Sequence, residues 1–318
     1  MPRVAVVILN WNRPADTLAC VASVLGLAYG ALHPVVVDNA STDDSVTSIR
    51  RVHPDLDLIQ NADNLGYAEG NNVGIRHALE AGADYVLILN NDTLVSPDLV
   101  ARLLRIIDTH PQIGIVGPKV LCTDPPDTLF AAGSFVQWRQ GDLWHRGLFE
   151  PDSRYAHLDH PEPVEFIVGC GVLASRKLIK AIGLLDPEYY LNFEDVDWCI
   201  RAWRAGFEVW YDPGSVMWHK VSATLGIASP ANTYYMTRNA LRFFWRNAPT
   251  HLRWLAVSRI LARTARTVAA WTLKPHYRTA VYRRKRDANL LAVRDFFLAR
   301  YGAMDADVAR VCYGDRTA

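Results

Sequence analysis

Short apolar runs alternate with helix-patterned segments across the first 110 residues, and each run ends at a polar or acidic side chain. Residues 4–9 (VAVVIL) are continuous and β-branched, the pattern of a strand buried on both faces. A helix follows from Arg13-Pro14 to about Leu25, with Leu18, Val21, Ala22 and Leu25 at helical spacing. Residues 35–37, 56–60 and 85–89 read as three further strands, with helices over 67–81 and 97–109. Gly82 is placed to cap the first of these two helices. Ser41, Thr42, Asp43 and Asp44 are suited to a turn and a helix N-cap. This rhythm predicts an α/β fold with a mostly parallel sheet flanked by helices on both faces.

Such sheets bind ligands beyond the carboxyl ends of their strands. Asn10, Asn12, Asp38 and Asp92 all fall there. Beyond residue 113 the pattern loosens. Residues 113–120 and 164–174 read as strands separated by a long loop or hairpin region rich in Asp, Pro, Gly and Trp. A helix is expected over 194–205, then a short strand over 208–211 stopped by Asp212-Pro213-Gly214. After Ala231 the chain reads as helical throughout.

The segment 189–204, YYLNFEDVDWCIRAWR, sets Glu194, Asp195 and Asp197 among aromatics. Acids in apolar surroundings need a partner or a task. One carboxylate at a strand end can hold a metal, as Asp92 would, and another at a helix start can act as a base. That division points to a metal-assisted transfer enzyme.

Composition is that of an ordinary globular chain, with a net charge of +1 that hides an asymmetry. Residues 1–237 carry 17 Lys and Arg against 28 Asp and Glu, whereas residues 238–318 carry 17 against 5. A basic tail of this kind meets either an anionic partner or the acidic body of its own chain. The five cysteines are scattered without metal-ligand spacing, which fits thiols in a reducing cytosol. The first apolar run is too short for a signal peptide, and no window is long and uncharged enough for a transmembrane helix. A cytoplasmic protein is therefore expected, peripheral on the inner face of the membrane if the tail binds lipid.

The ordered set VAVVILNWNR, VVDNASTDDS, NLGYAEGNNVGI, LILNNDT, GCGVLASR, GLLDPEYYLNFEDVDWCIRAWRAG and MWHK resembles family 2 glycosyltransferases. The resemblance spans about residues 3–240 and lies nearest the bacterial rhamnosyltransferase-like branch. It implies a GT-A-like catalytic domain over 1–237 and a basic helical extension over 238–318. It also implies inverting transfer of a sugar, such as rhamnose, from a UDP- or dTDP-sugar to a hydroxyl of a glycan or lipid-linked acceptor in cell-surface polysaccharide synthesis.

Site residues follow from the same resemblance. Asp38 would bind the base, while Asn39 stands where many relatives have a second acid. Leu9, Asn10 and Asn12 would line the nucleotide pocket, and Trp11 packs either on the nucleotide or on the core. Asn64, Gly66 and Asn71 would serve the donor at a helix start, where backbone N–H groups attract phosphate. LILNNDT occupies the place of the metal motif, leaving Asn91 near the donor and Asp92 as a ligand for Mg²⁺ or Mn²⁺, with His219 as a second ligand or diphosphate contact. Asp195 would be the general base and Glu194 would orient the acceptor. Asp197 is more suited to cap the helix or pair with Arg201, four residues on. Gly171 would admit the donor sugar or permit tight packing. Arg238 would contact phosphate or form a surface ion pair.

In residues 252–273, Arg259, Arg263 and Arg266 share one helical face, and Trp254, Val257, Leu261, Val268 and Trp271 the other. With Arg283-Arg284-Lys285-Arg286 beyond it, this fits an anionic membrane surface, or else a layer packed on the catalytic domain or on a second copy in a homodimer. No motif supports nucleic-acid binding. Two other function classes compete. A nucleotidyltransferase would need a basic glycine-rich first loop, which NWNRPAD lacks. An inactive sugar-nucleotide-binding relative would not need Asp38, Asp92 and Asp195 together.

Overall fold

The computed structural model describes residues 1–220 and 229–314. In chain order the elements are β1 (Val4–Asn10), α1 (Pro14–Leu25), β2 (Leu32–Asp38), α2 (Ser45–Val52), β3 (Asp57–Gln60), α3 (Gly66–Glu80), β4 (Tyr85–Asn90), β5 (Thr93–Val95) and α4 (Leu99–Ile107). Then come β6 (Ile113–Cys122), β7 (Leu129–Ala131), β8 (Ser134–Gln137), β9 (Asp142–His145), β10 (Glu162–Pro163), β11 (Gly171–Ser175), α5 (Arg176–Ile182), α6 (Glu194–Arg204) and β12 (Glu208–His219). Four helices complete the chain: α7 (Pro230–Asn247), α8 (Thr250–Leu273), α9 (Ala280–Phe297) and α10 (Ala306–Tyr313).

The main sheet runs β10-β12-β6-β11-β4-β1-β2-β3. β3, β2, β1 and β4 are parallel, as the alternating pattern predicts. β11 then runs antiparallel to both β4 and β6, so the sheet is mixed. β1 is buried along its whole length, apolar from Val4 to Leu9 and closed by Asn10. Helix α3 lies close on this sheet because it has no side chains at two contact points. A Cβ at Gly70 would come within 2.7 Å of Leu9 Cδ1, and one at Gly74 would collide with Val7 Cγ1.

Two sequence readings change. The strand expected over 164–174 is only β11, from Gly171, because residues 164–170 leave the ladder as a loop before rejoining it. The short strand expected over 208–211 does not stop at Asp212-Pro213-Gly214. β12 continues to His219 through a register shift between Asp212 and Val216 in its pairing with β6. Asp212 holds this bulge, its carboxylate accepting from the Gly214 N–H (3.1 Å) and the Ser215 hydroxyl (2.5 Å).

The chain divides into two units. The first comprises Met1–Phe135, Trp144–Asp186 and Asp195–Val221; the second comprises Val136–Leu143, Pro187–Glu194 and Ser222–Ala318. The expected boundary at 237/238 thus moves, because α7 belongs wholly to the helical unit. Tyr234 and Tyr235 of α7 form its core with Ala288 and Ala292 of α9 and Val308 and Cys312 of α10. The Tyr234 hydroxyl donates to buried Asp295 at 2.8 Å. Among the described residues no helix is long and apolar enough to cross a membrane.

Candidate active site

β1 and β4 are neighbours, and both end at the same edge of the first unit, Leu9 opposite Asn90. Asn10 is fully buried there. Its Nδ2 donates to Asp38 Oδ1 (2.6 Å) and Ser41 Oγ (3.0 Å), and its Oδ1 accepts from Thr17 Oγ1 (2.5 Å). Asn91 Nδ2 donates to the same Thr17 hydroxyl at 2.9 Å. The structure therefore joins Asn10, Asp38 and Asn91 in one polar network. Asp38 also accepts the Ser41 N–H on Oδ2 (3.0 Å) and the Ser41 hydroxyl on Oδ1 (2.6 Å). Oδ2 thus retains acceptor capacity for an imide N–H.

The loop after β1 is strained. Asn12 and Arg13 both have positive φ, 60° and 62°. Such a conformation is uncommon for residues other than glycine and costs roughly 1–3 kcal/mol at each position. Hydrogen bonds to the next loop hold it: Asn12 N–H to Ser41 Oγ (2.7 Å), Thr42 N–H to Asn12 Oδ1 (2.9 Å) and Arg13 N–H to Asp43 Oδ2 (2.9 Å).

Asn39 is the hub of the third loop. Its Nδ2 donates to Asn64 Oδ1 (2.9 Å) and Gly66 O (3.0 Å), and its Oδ1 accepts from Asn61 Nδ2 (3.0 Å) and Leu65 N–H (3.0 Å). Asn64 Oδ1 also accepts the Gly66 N–H at 2.9 Å. Asn64 and Gly66 thus shape the start of α3, where Gly66 takes a φ of 75°. Asn71 is buried in α3, its Nδ2 donating back to Tyr67 O at 2.9 Å, and its Oδ1 has no hydrogen-bond partner among the described residues. Leu9 packs under Gly70.

Asp92 and His219 lie far apart in sequence but meet through the ladder. β12 pairs with β5 so that His219 stands opposite Thr93, next to Asp92. Asp92 Oδ1 is 3.2 Å from His219 Nε2, and both side chains are nearly buried. Among the described residues Asp92 Oδ1 has no hydrogen-bond partner, and neither has His219 Nδ1. Asp92 Oδ1 and His219 Nε2, the latter also 3.4 Å from Asn90 Nδ2, are an oxygen and an imidazole donor of the kind a divalent cation accepts. Phe130 packs edge-on against the imidazole, with ring centroids 5.0 Å apart. These two residues line a cavity of about 680 Å³ with Asp16, Asp124 and Lys220. Lys220 Nζ reaches Asp16 Oδ1 at 3.0 Å. Sequence reasoning passed over Lys220 and Asp16, although Lys220 ends the MWHK motif and supplies the cavity with an ammonium.

Asp195 opens α6 in the first unit. Its Oδ2 accepts the Gly169 N–H at 2.7 Å, while the Gly169 carbonyl accepts the Tyr67 hydroxyl at 2.6 Å. A Cβ at Gly169 would press within 3.3 Å of Asp195 Oδ2. Burial pushes the Asp195 carboxyl above its ordinary value, and the N–H groups of Val196 and Gly169 offset part of that rise. Asp197 is buried and bound by Arg201 Nε at 2.8 Å, while the Arg201 guanidinium also caps the Ile182 and Leu184 carbonyls. Gly171 serves packing, since a Cβ there would strike Met217 Sδ.

Glu194 and Arg238 lie in the second unit, both buried. Arg238 is only 1% exposed, so it forms no surface ion pair. Its guanidinium donates to Tyr189 O (3.2 Å) and Asn239 Oδ1 (3.0 Å) and lies over the Tyr234 and Tyr235 rings. Those contacts give it a packing role within the helical unit.

The mixed sheet, with polar groups gathered at the carboxyl ends of β1, β2 and β4, matches the architecture of GT-A glycosyltransferase structures. The profile described as "Glycosyltransferase like family 2" matches residues 2–248, and the chain belongs to that family. It is 25% identical over 224 residues to the dTDP-rhamnosyl transferase RfbF of Shigella flexneri, covering 67% of this chain and 71% of that protein. It is 27% identical over 244 residues to an N-acetylglucosaminyl-diphospho-decaprenol L-rhamnosyltransferase of Mycobacterium tuberculosis, covering 69% of this chain and 78% of that protein. Among solved structures, the mannosyltransferase PcManGT of Pyrobaculum calidifontis in complex with GDP-Man and Mn²⁺ superposes with a TM-score of 0.58 at 20% identity. That match covers 94% of this chain and 88% of the other. S. aureus TarS 1-349 in complex with UDP-GlcNAc gives a TM-score of 0.52 at 17% identity, covering 94% and 81%.

The Asn39 hub supports a stability prediction. An aspartate at 39 keeps the two accepted bonds but turns a carboxylate oxygen toward Asn64 Oδ1 and Gly66 O. Flipping the Asn64 amide would relieve one clash only by breaking its bond to the Gly66 N–H. Asn39→Asp is expected to lower stability by about 3 kcal/mol or more, the range for a buried charged group without its partner. Urea unfolding at neutral pH measures this, and wild-type stability in the variant would refute the hub.

Proposed function

We propose that the chain transfers a deoxyhexose of the rhamnose type, with inversion, from a nucleoside diphosphate donor to a hydroxyl of a lipid-linked glycan. The observation that carries this reading is the Asp92–His219 pair, held 3.2 Å apart on the wall of a cavity with a lysine nearby. The names of the two rhamnosyltransferase relatives support the choice of sugar and acceptor.

In this reading Asp38 accepts the imide N–H of a uracil or thymine base, and Asn10 and Ser41 hold its carboxylate in place. Asp92 and His219 would hold a divalent cation, which would neutralise charge growing on the departing diphosphate. Lys220 adds a second positive charge to the same wall. Asp195 takes the proton from the acceptor hydroxyl. The acceptor oxygen bonds to the anomeric carbon as the bond to the diphosphate oxygen breaks on the opposite face. A base raised by burial suits this step, because it binds the proton more firmly than an exposed aspartate does. Glu194 orients the acceptor.

Purified protein offered UDP-, dTDP- and GDP-sugars, with a polyprenyl-diphosphate sugar as acceptor, is expected to use a rhamnosyl donor and to give inverted product by NMR. Transfer with retention would refute the single-displacement reading. Asp195→Asn should leave donor affinity intact and cut turnover by about 10²–10⁴. The wild-type rate should rise with pH along a limb above the ordinary aspartate value, since the base works only once deprotonated, and that limb should vanish in the variant. A variant with a tenth of wild-type turnover would remove Asp195 from this role.

Asp92→Ala should abolish the gain in nucleoside diphosphate affinity that Mn²⁺ gives the wild type, as calorimetry would show. An unchanged metal-linked gain would place the cation elsewhere.

The helical unit is also proposed to rest on an anionic membrane surface. Trp254, Leu273 and Phe297 are 70%, 72% and 66% exposed, and Arg283 and Arg284, between Leu273 and Phe297 in sequence, are exposed too. On the basic face of α8, Arg259 and Arg263 donate to the carbonyls of Arg139 and Gly141, which leaves Arg266 exposed. Vesicles with anionic lipid should retain the full chain at low salt and release it at high salt, where screening shortens to about 3 Å at 1 M. Equal indifference to neutral and anionic vesicles would favour a helical layer that serves packing or dimerisation alone.

A further inference from the structure

A second cluster of metal-ligating side chains lies at the opposite end of the parallel strands. His33 is near the amino end of β2, five residues before Asp38, which at strand rise is roughly 16 Å away. Asp57 opens β3, and the parallel register sets it opposite Val35, one strand step beyond His33 on the same side of β2. α3 covers that side, since the missing Cβ of Gly74 lets the helix settle on Val7 and Val37. His77, three residues after Gly74, therefore comes down beside His33.

We propose that His33, Asp57 and His77 bind a divalent transition cation of the zinc type, at a site independent of the transferase reading. His33 Nε2 and His77 Nε2 approach the same carboxylate oxygen, Asp57 Oδ2, at 3.1 and 2.6 Å. Taken together, one ligand atom from each residue lies within 4.8 Å of the others. Without a cation, both Nε2 atoms must carry hydrogen to donate to one oxygen. One cation in place of those hydrogens lets all three side chains keep their partners. Two neutral imidazoles and one carboxylate suit Zn²⁺, Co²⁺ or Ni²⁺ far better than Mg²⁺.

Ligand bonds of about 2.0–2.2 Å put neighbouring donor atoms roughly 3.3 Å apart in a tetrahedral site. The side chains need to shift by only about 1 Å to reach that spacing, and they are 42%, 33% and 37% exposed, so they have room to do so. The imidazoles already lie nearly parallel, with ring centroids 6.3 Å apart at 24°. A cavity of about 390 Å³ adjoins His33 and Asp57 and gives water a way to the fourth coordination position. A cation here would clamp β2, β3 and α3, the elements that carry Asp38 and the Asn39–Asn64 hub at their far ends.

The test uses the full chain, stripped of metal by chelator and kept free of nucleotide. Asp92→Ala removes the other cation site and serves as the background. Co²⁺ titrated into this protein should give visible d–d bands of a nitrogen- and oxygen-ligated ion, saturating at one equivalent. Zn²⁺ should displace it and raise the thermal midpoint. Adding His33→Asn and His77→Asn should weaken binding by more than about 100-fold, beyond what loss of outer-shell partners alone costs, and cancel the thermal shift. Circular dichroism should show the same helix content. Should that variant not fold, Asp57→Asn with both imidazoles intact reads the same loss. Binding that survives either variant, or no bands at millimolar Co²⁺, would overturn the site.

Discussion

The pairing of β1 with β4 decides where chemistry can happen in this protein. After β1 the chain builds β2 and β3 to one side, then crosses back to lay β4 on the other side of β1. Loops leaving β1 and β4 therefore part from each other at their carboxyl ends and leave a crevice, as in other open α/β sheets. The register fixes its depth: Ile8 opposes Leu89 and Leu9 opposes Asn90, so Asn10 and Asn91 emerge at one level. Thr17 then receives both, accepting from Asn91 while donating to Asn10. A shift of either strand by one residue would turn these amides to the opposite face and break the network.

A second constraint brings the remaining ligand. β12 is parallel to β6 along most of its length, yet it must also reach β5, which follows Asp92 directly. The bulge at Asp212–Ser215 takes up the mismatch and bends the strand toward β5. Only then does His219 stand beside Asp92. The bulge is stabilised by its own aspartate, which Arg102 of α4 also approaches, Nε to Oδ2 at 3.7 Å.

The first half of the fold was legible because each parallel strand announces itself as an apolar run closed by a polar residue. Asn10, Asp38 and Asp92 stood out for the same reason, and the structure sets them around one edge. The extension of β12 was hidden because Asp-Pro-Gly is the usual signal for a turn, and a bulge uses the same residues. The Asp92–His219 contact depends on a strand ladder across 127 positions, which no local pattern encodes. Reading Asn39 as a lost acid missed its role, since the hub needs a side chain that both donates and accepts. Gly171 fits sugar contact or packing equally in sequence; its nearest neighbour in the structure is the Met217 side chain.

The charge asymmetry illustrates how a sum over sequence differs from a field in space. The chain after residue 237 carries a large excess of Arg and Lys, but much of it is committed inside the helical unit. Arg238 and Arg242 are buried, the latter paired with Glu188 and lying 4.0 Å from the Tyr301 ring centroid. Arg294 and Arg300 surround Asp295 and Asp305. Lys285 sits over Trp271 and Tyr282. These guanidinium and ammonium groups join helices whose aromatic faces offer π-density, so they act as cohesive contacts of the unit. What remains exposed to a partner includes Arg283 and Arg284 at the start of α9, together with Arg266, Lys274 and Arg278. An anionic partner of this unit would therefore meet these exposed side chains, and its affinity would follow them more than the net charge of the tail.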